Sequence, residues 1–312
     1  MPEENWERRI IERLATEGLL EQQRARRWGI FFKLLTFAFL FITLFVVIAS
    51  LVETERTCID KCTAMVEIKG ELDADSRASA ENVITGLQAA FKNKGTQGVV
   101  LKIDSPGGSP VQAGAINDEI HRLRGKYPDT PLYAVVGELC ASGAYYVAVA
   151  ADKIYVDKAS LIGSIGVIID GFGFVGSLEK LGVERRVLTA GENKDFLDPF
   201  SPLPDKQKEY AQRMLDEIHQ QFIAVVKEGR GSRLKESPEL FSGLVWNGQR
   251  SIELGLADAL GSVSSVARDV IKAEEVVDFT PPENIAERVA RKFGATLGRT
   301  FASTLSSGLR RH

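Results

Sequence analysis

The sequence predicts an α/β domain preceded by one transmembrane helix. Two observations carry this reading. From residue 64 onward, short apolar strand-like runs alternate with helical stretches, the pattern of a sheet covered by helices. Ahead of them, Leu34 to Val52 is a run of 19 residues without a charge, long enough to span a bilayer core of about 30 Å at about 1.5 Å per residue. The chain has 312 residues, room for one large domain or two modest ones. Its net charge of −3 lacks the basic excess of a nucleic-acid binder.

The elements follow in order. Residues 1–28 are charged with mixed sign, and Ile10, Ile11 and Leu14 fall at helical spacing, which suggests an amphipathic arm. Residues 29–52 form the anchor, with Ile30, Phe31 and Phe32 extending the apolar run and Trp28 placed for the headgroup boundary. Arg24, Arg26, Arg27 and Lys33 precede or enter it, and Glu53 and Glu55 follow. The positive-inside rule therefore predicts a cytoplasmic N-terminus, with everything after Val52 outside. Val47-Ile48-Ala49 would pass as a signal cleavage site, but the apolar run exceeds the roughly 7–15 residues of a signal peptide core. An uncleaved anchor is expected. The linker at 53–63 holds Cys58 and Cys62, which could pair on an oxidising side if the segment bends.

The domain at 64–280 starts with a strand over Met65–Ile68 and a helix over Ser79–Lys92. A strand at Val99–Ile103 ends in Asp104-Ser-Pro-Gly-Gly108, and a helix over Val111–Arg124 follows. A strand at Leu132–Val136 leads into a turn, a helix starts at about Ser142, and a further strand covers Lys153–Val156. There is no internal repeat.

Ser142 is the candidate nucleophile. A serine at a strand-to-helix turn can hold its hydroxyl on the open face, beside the free N–H groups of the helix N-terminus. Chemistry that creates an oxyanion needs that arrangement. Taken alone, the reading of Ser142 as a helix cap outweighs this one, because serine is a favoured cap. The glycines of Asp104-Ser-Pro-Gly-Gly108 permit positive φ and close backbone approach, so their N–H groups could complete an anion hole, although Pro-Gly also marks ordinary turns. A serine nucleophile needs a base. Of the three histidines, His121 and His219 lie in helical stretches and read as surface or packing residues, and His312 ends the chain. No Ser-His-Asp order stands out. The other choice is a lysine kept neutral by burial away from other cations. Lys194 fits best, since apolar Phe196, Leu197 and Phe200 follow it. No His, Cys or carboxylate group has metal-ligand spacing, so neither a metal nor another cofactor is expected.

The motifs together resemble a known family. The ordered set is Asp104-Ser-Pro-Gly-Gly108, Ala141-Ser-Gly-Ala-Tyr-Tyr146, Ala151-Asp-Lys-Ile-Tyr155, Gly163-Ser-Ile-Gly-Val167, Gly191-Glu-Asn-Lys-Asp195, and Trp246-Asn-Gly-Gln with Leu254-Gly-Leu-Ala-Asp258. From about Val66 to Val263 this resembles the signal peptide peptidases of the SppA type, serine peptidase family S49, in their short single-copy form. The resemblance implies a ClpP/crotonase-like spiral of ββα units. It implies Ser142 as nucleophile, Lys194 as general base and Ser164 as the serine that orients the lysine. Gly108 and the N–H of Gly143 would form the oxyanion hole, with Gly107 in the same turn. In short-form relatives, nucleophile and base meet across protomer boundaries in a ring, which implies a homo-oligomer here, as an octamer. One departure is Ala144, where relatives often carry a second glycine; alanine also suits a helix.

The implied activity is a membrane-anchored serine endopeptidase, in a bacterial inner membrane with its catalytic domain periplasmic. Its substrates would be cleaved signal peptides or other apolar membrane peptides beside the lipid bilayer, with no nucleic-acid partner. Three alternatives stand beside it: a paralogous protease of membrane-protein quality control, a non-catalytic membrane scaffold, and an acyl-CoA or ester hydrolase on a related fold. Leu161, Ile162, Ile165 and Val167 read as core strand rather than pocket wall. After Pro281-Pro282, residues 281–312 form a basic amphipathic tail with apolar residues every four positions from Ile285 to Leu309. That stripe could meet a bilayer or a neighbouring protomer, or the tail could be mobile.

Overall fold

The computed structural model describes residues 4–51, 58, 60–235 and 237–282. The tail stripe from Ile285 to Leu309 lies outside them. The described residues divide into two units, an N-terminal helix and a compact body within Arg56–Glu283.

The first unit is α1, Glu4–Leu51, where arm and anchor form one helix of 48 residues, about 72 Å long at the standard rise. Its stretch Gln22–Val46 is long and apolar enough to cross a membrane, with mean hydropathy 2.3. Thr36 donates its hydroxyl to the Phe32 carbonyl at 2.9 Å. That bond satisfies the hydroxyl within the helix, as an apolar setting requires.

The body is built on strands β1 (Cys62–Lys69), β2 (Thr96–Ser105), β3 (Leu132–Ala141), β4 (Lys153–Val156), β5 (Leu161–Gly163), β6 (Val245–Asn247), β7 (Ala259–Leu260) and β8 (Val276–Asp278). The order across the sheet is β6-β5-β3-β2-β1-β8, with β4 pairing β3 and β7 pairing β4. Only the β5–β6 ladder is antiparallel among these pairs. Helices α2 (Ala80–Lys92), α3 (Pro110–Lys126), α4 (Gly143–Ala148), α5 (Val175–Lys180), α6 (Asp205–Arg230) and α7 (Gly248–Glu253) pack with the sheet, beside short helical turns at Gly231–Arg233, Val263–Ser265 and Val266–Ile271. This is the α/β class that the alternating pattern predicts.

Local chemistry explains the helix ends. Ser79 caps α2 by accepting the Asn82 N–H, and Ser109 caps α3 by accepting the Gln112 N–H, with Pro110 at the first helical position. Each helix turns one apolar face inward: Val83, Leu87 and Phe91 on α2, and Ile116, Ile120 and Leu123 on α3. These pack on Val99, Leu101 and Ile103 of β2 in the main core. A smaller cluster, Val100, Val135, Tyr155 and Val266, covers part of the opposite sheet face.

β3 differs from expectation in a way that matters. It does not stop at Val136 but continues to Ala141. Its first half pairs with β4 and its last three residues pair with β5. The strand thus delivers Ser142 directly from a ladder. A change of partner along one strand leaves no local pattern, so the apolar run marks only its first half.

Cys58 and Cys62 form a disulfide with Cα atoms 5.9 Å apart. Both are buried, and Gly95 lies close against them; a Cβ there would meet the Cys58 Sγ at 2.6 Å. Cys140 is a buried free thiol. Alkylation of the unreduced, denatured protein should therefore modify Cys140 alone. Modification of all three cysteines would contradict the bond.

Candidate active site

Ser142 sits between β3 and α4 with φ 53° and ψ −127°. A non-glycine residue at positive φ is strained, and such strain persists only where the surroundings over-determine it. Here they do. The Ser142 N–H donates to the Gly163 carbonyl at 2.8 Å, and its own carbonyl accepts from Tyr145 and Tyr146 at 2.9 and 3.1 Å. The side chain makes no cap hydrogen bond. The helix-cap reading of Ser142 is therefore not what the structure has, and the hydroxyl is left free at the elbow. Ala144 is fully buried in the core behind it.

The Asp104–Gly108 turn lies against this elbow. Gly107 and Gly108 have φ of 95° and 140°. A Cβ on Gly107 would stand 2.6 Å from both the Ala141 carbonyl oxygen and the Gly143 nitrogen. A Cβ on Gly108 would stand 2.3 Å from the Leu72 carbonyl oxygen. Neither position tolerates a side chain without moving backbone. The nitrogen of Gly108 is 3.4 Å from the point where a Gly143 Cβ would be. Among the described residues, no hydrogen bond takes the N–H of Gly108 or of Gly143.

Gly108, Ser142, Gly143 and Ser164 line one cavity of about 420 Å³, with Tyr146 and Phe222 among its apolar walls. Ser164 also has positive φ, 51°, and its N–H donates to the Leu244 carbonyl at 2.7 Å. Before it, Gly163 accepts the Ser142 N–H and packs close to the Trp246 ring; a Cβ there would meet the ring at 2.7 Å. Ile162 and Ile165 are core, as expected, but Leu161 is exposed and Val167 lines the cavity.

Lys194 is not among the residues lining this cavity. It is exposed, on a turn whose Lys194 N–H donates to Gly191 at 3.1 Å. That turn belongs to an out-and-back arm between about residues 168 and 203, closed on itself where the Phe174 N–H meets the Pro199 carbonyl at 2.7 Å and Phe174 stacks on Phe200. The apolar residues after Lys194 pack elsewhere: the Phe196 ring meets Tyr210 edge-on. Ile168, Phe172, Leu181 and Leu188 of the arm are largely exposed. His121 is exposed on α3, and His219 on α6 places Nε2 3.1 Å from the Ile165 carbonyl. Burial pushes the Cys140 thiol far up, so it stays protonated and inert next to the elbow. No His, Cys, Asp and Glu cluster able to hold a metal occurs among the described residues.

Behind the elbow lies a charged network that spacing alone did not reveal. The Tyr145 hydroxyl donates to the Leu256 carbonyl at 2.9 Å. Arg230, at the end of α6, is 1% exposed; its Nε donates to the Gly255 carbonyl at 2.7 Å and its Nη1 to Asp258 at 2.8 Å. Asp258 also accepts the Ile154 N–H and an Arg233 N–H. Burial works to raise the Asp258 pKa, but the Arg230 hydrogen bond, the Ile154 N–H and both arginine charges outweigh it and hold the carboxyl below its ordinary value. Asp152 ties in a second pair, accepting from Arg124 and from the Leu132 N–H. The motifs around residues 151–155 and 254–258 were legible as motifs; their carboxylates' partners were not.

A strained, uncapped serine beside two free N–H groups in an apolar cavity is able to attack a carbonyl and hold the oxyanion that results. That geometry and an α/β sheet define the class of protein. Comparison with known proteins makes it specific: residues 126–277 match Peptidase family S49. A putative protease of Synechocystis, slr0021, is 30% identical over 207 residues, covering 66% of this chain and 72% of that protein. The chain belongs to peptidase family S49. A putative signal peptide peptidase SppA of Enterococcus faecium is 31% identical over 200 residues, covering 64% of this chain and 58% of that protein. The Na(+)/H(+) antiporter NhaA of Brucella melitensis is 44% identical over 182 residues, 58% of this chain, and the match spans a quarter of that protein's length. Among solved structures, the chain is similar to a ClpP1 point mutant from Listeria monocytogenes, with TM-score 0.40, 16% identity, and 64% and 91% of the two chains covered.

Proposed function

We propose that this chain is a membrane-anchored serine endopeptidase that cleaves apolar peptides through a Ser142–Lys194 dyad. The observation that carries this is Ser142 itself, strained, uncapped and flanked by the free N–H groups of Gly108 and Gly143. The Lys194 amine takes the Ser142 proton as Ser142 attacks the peptide carbonyl, passes it to the leaving amine as the C–N bond breaks, and then takes a proton from the water that hydrolyses the acyl-enzyme and releases Ser142. The two N–H groups stabilise the tetrahedral oxyanion. Gly107 contributes shape, since no side chain fits against Ser142 there. Ser164, in the same cavity, orients the lysine amine.

Lys194 stands exposed on its own chain, so the dyad is completed by the arm of a second copy. The exposed Phe172, Leu181 and Leu188 of that arm are the kind of surface a neighbouring subunit covers. The assembly is a homo-oligomeric ring, octameric by resemblance to short-form relatives. Residues 1–28 are the cytoplasmic arm, 29–52 the anchor in a bacterial inner membrane, 53–63 the linker, 64–280 the periplasmic peptidase domain and 281–312 the tail. The Cys58–Cys62 bond supports an oxidising location for the body. Substrates are signal peptides left by secretion, or other apolar membrane peptides, matched by the Tyr146 and Phe222 walls. The test is hydrolysis of an internally quenched apolar peptide by the detergent-solubilised full chain. Turnover that Ser142→Ala abolishes supports the proposal, and turnover indifferent to that change refutes it.

A further inference from the structure

The turn Pro106-Gly107-Gly108-Ser109 is closely constrained by its backbone hydrogen bonds. Pro106 has no N–H to give. The Gly107 N–H donates to the Ser105 Oγ at 3.1 Å. The Ser109 N–H donates to the Leu72 carbonyl at 2.8 Å, and the Gly107 carbonyl accepts from the Leu72 N–H at 2.7 Å. Of the donors in this turn, Gly108's alone is left free. Gly107 is buried, and a buried backbone N–H without a partner is costly. Ser105 supplies that partner from the last position of β2, where it is fully buried and faces Cys140 across the ladder, two residues before Ser142.

We propose that Ser105 is a positioning residue of the oxyanion site. Its hydroxyl takes the N–H of the Pro106–Gly107 peptide, while the Leu72 N–H takes the carbonyl of the Gly107–Gly108 peptide, and the two bonds together hold Gly107 in the conformation that leaves the Gly108 N–H available. Without the hydroxyl, the buried Gly107 N–H loses its partner, and the Pro106–Gly107 peptide tilts to find another, pulling against the Leu72 bond and re-aiming the Gly108 N–H. The Gly108 donor is then lost from the site although every catalytic side chain remains. The inference rests on the serine-peptidase reading of the same cavity.

The hydroxyl is tested by two pairs at matched volume, Ser105 against Ser105→Ala and Ser105→Thr against Ser105→Val, in the full chain. The expected result is that Ala and Val each lose about tenfold to a hundredfold in kcat with KM little changed, below the loss from deleting a donor outright. Thr should keep most of the turnover. A peptide aldehyde, which becomes a tetrahedral oxyanion on the enzyme, should lose affinity in Ala and Val by the factor seen in kcat/KM. A non-cleavable reduced-bond peptide should bind all variants alike. Equal turnover in Thr and Val, or a loss confined to KM, would overturn the role. So would unfolding of both Ala and Val with Thr folded, which would make the hydroxyl a requirement of the fold. Ser142→Ala is run in parallel. If it retains hydrolysis, the nucleophile assignment fails, and this inference with it; if it is inactive while Thr and Val agree, only the role of Ser105 fails.

Discussion

Ser142→Ala is expected to lower peptide turnover by about four orders of magnitude or more, the scale at which losing a nucleophile acts in other serine peptidases. Lys194→Ala should approach the same loss, and the double variant should be no worse, because nucleophile and base act as one unit. The prediction becomes sharper in mixtures. On one chain, Ser142 lines the cavity while Lys194 is exposed on the arm and outside it. If the dyad forms between copies, co-assembled Ser142→Ala and Lys194→Ala chains regain activity at sites that receive both intact groups. Activity that persists in Lys194→Ala alone would remove the lysine from the mechanism. His219, already against the Ile165 carbonyl beside Ser164, would be the next base to examine.

The second large effect concerns stability. Asp258→Ala should cost about 3–5 kcal/mol, because it strands the Arg230 guanidinium in the interior. Arg230 is 1% exposed, and its Nη2 already lacks a partner among the described residues. Asp258→Asn keeps the shape and should cost less. The pH dependence follows from the depressed carboxyl. A carboxyl held low in the fold binds its proton more readily when unfolded, so the stability it contributes is complete above the ordinary carboxylate range. It is lost as pH falls through that range and then through the depressed folded value. Thermal melts between neutral and acid pH should show this acid limb in the parent and a shallower one in Asp258→Asn. Identical limbs would mean that the pair contributes little to the linkage.

How much was legible in the sequence depended on how local the cause was. Glycines at 107 and 108 and a serine after an apolar run are punctuation, and they marked both halves of the elbow. The extension of β3 to Ala141 was hidden, because it depends on pairing with β5, some twenty residues further on. Arg230 and Asp258 are 28 residues apart, and no periodicity joins them. Trp246 against Gly163 needs a strand pairing to be seen. Lys194 carries the family motif by resemblance, but the apolar residues expected to bury it pack elsewhere, Phe196 on Tyr210 of α6 and Phe200 on Phe174, leaving Lys194 exposed. In the sequence Ser105 is only one letter of a motif; its role depends on the fold bringing its hydroxyl to the Gly107 N–H.

The most direct measurement is to trap the acyl-enzyme. The full chain is incubated with an apolar peptidyl ester that acylates faster than it deacylates, quenched in acid, digested and mapped by mass spectrometry. The expected result is one acylated peptide with the adduct on Ser142, absent from Ser142→Ala. An adduct on another residue, or undiminished turnover in Ser142→Ala, would contradict the assignment of Ser142 as the nucleophile.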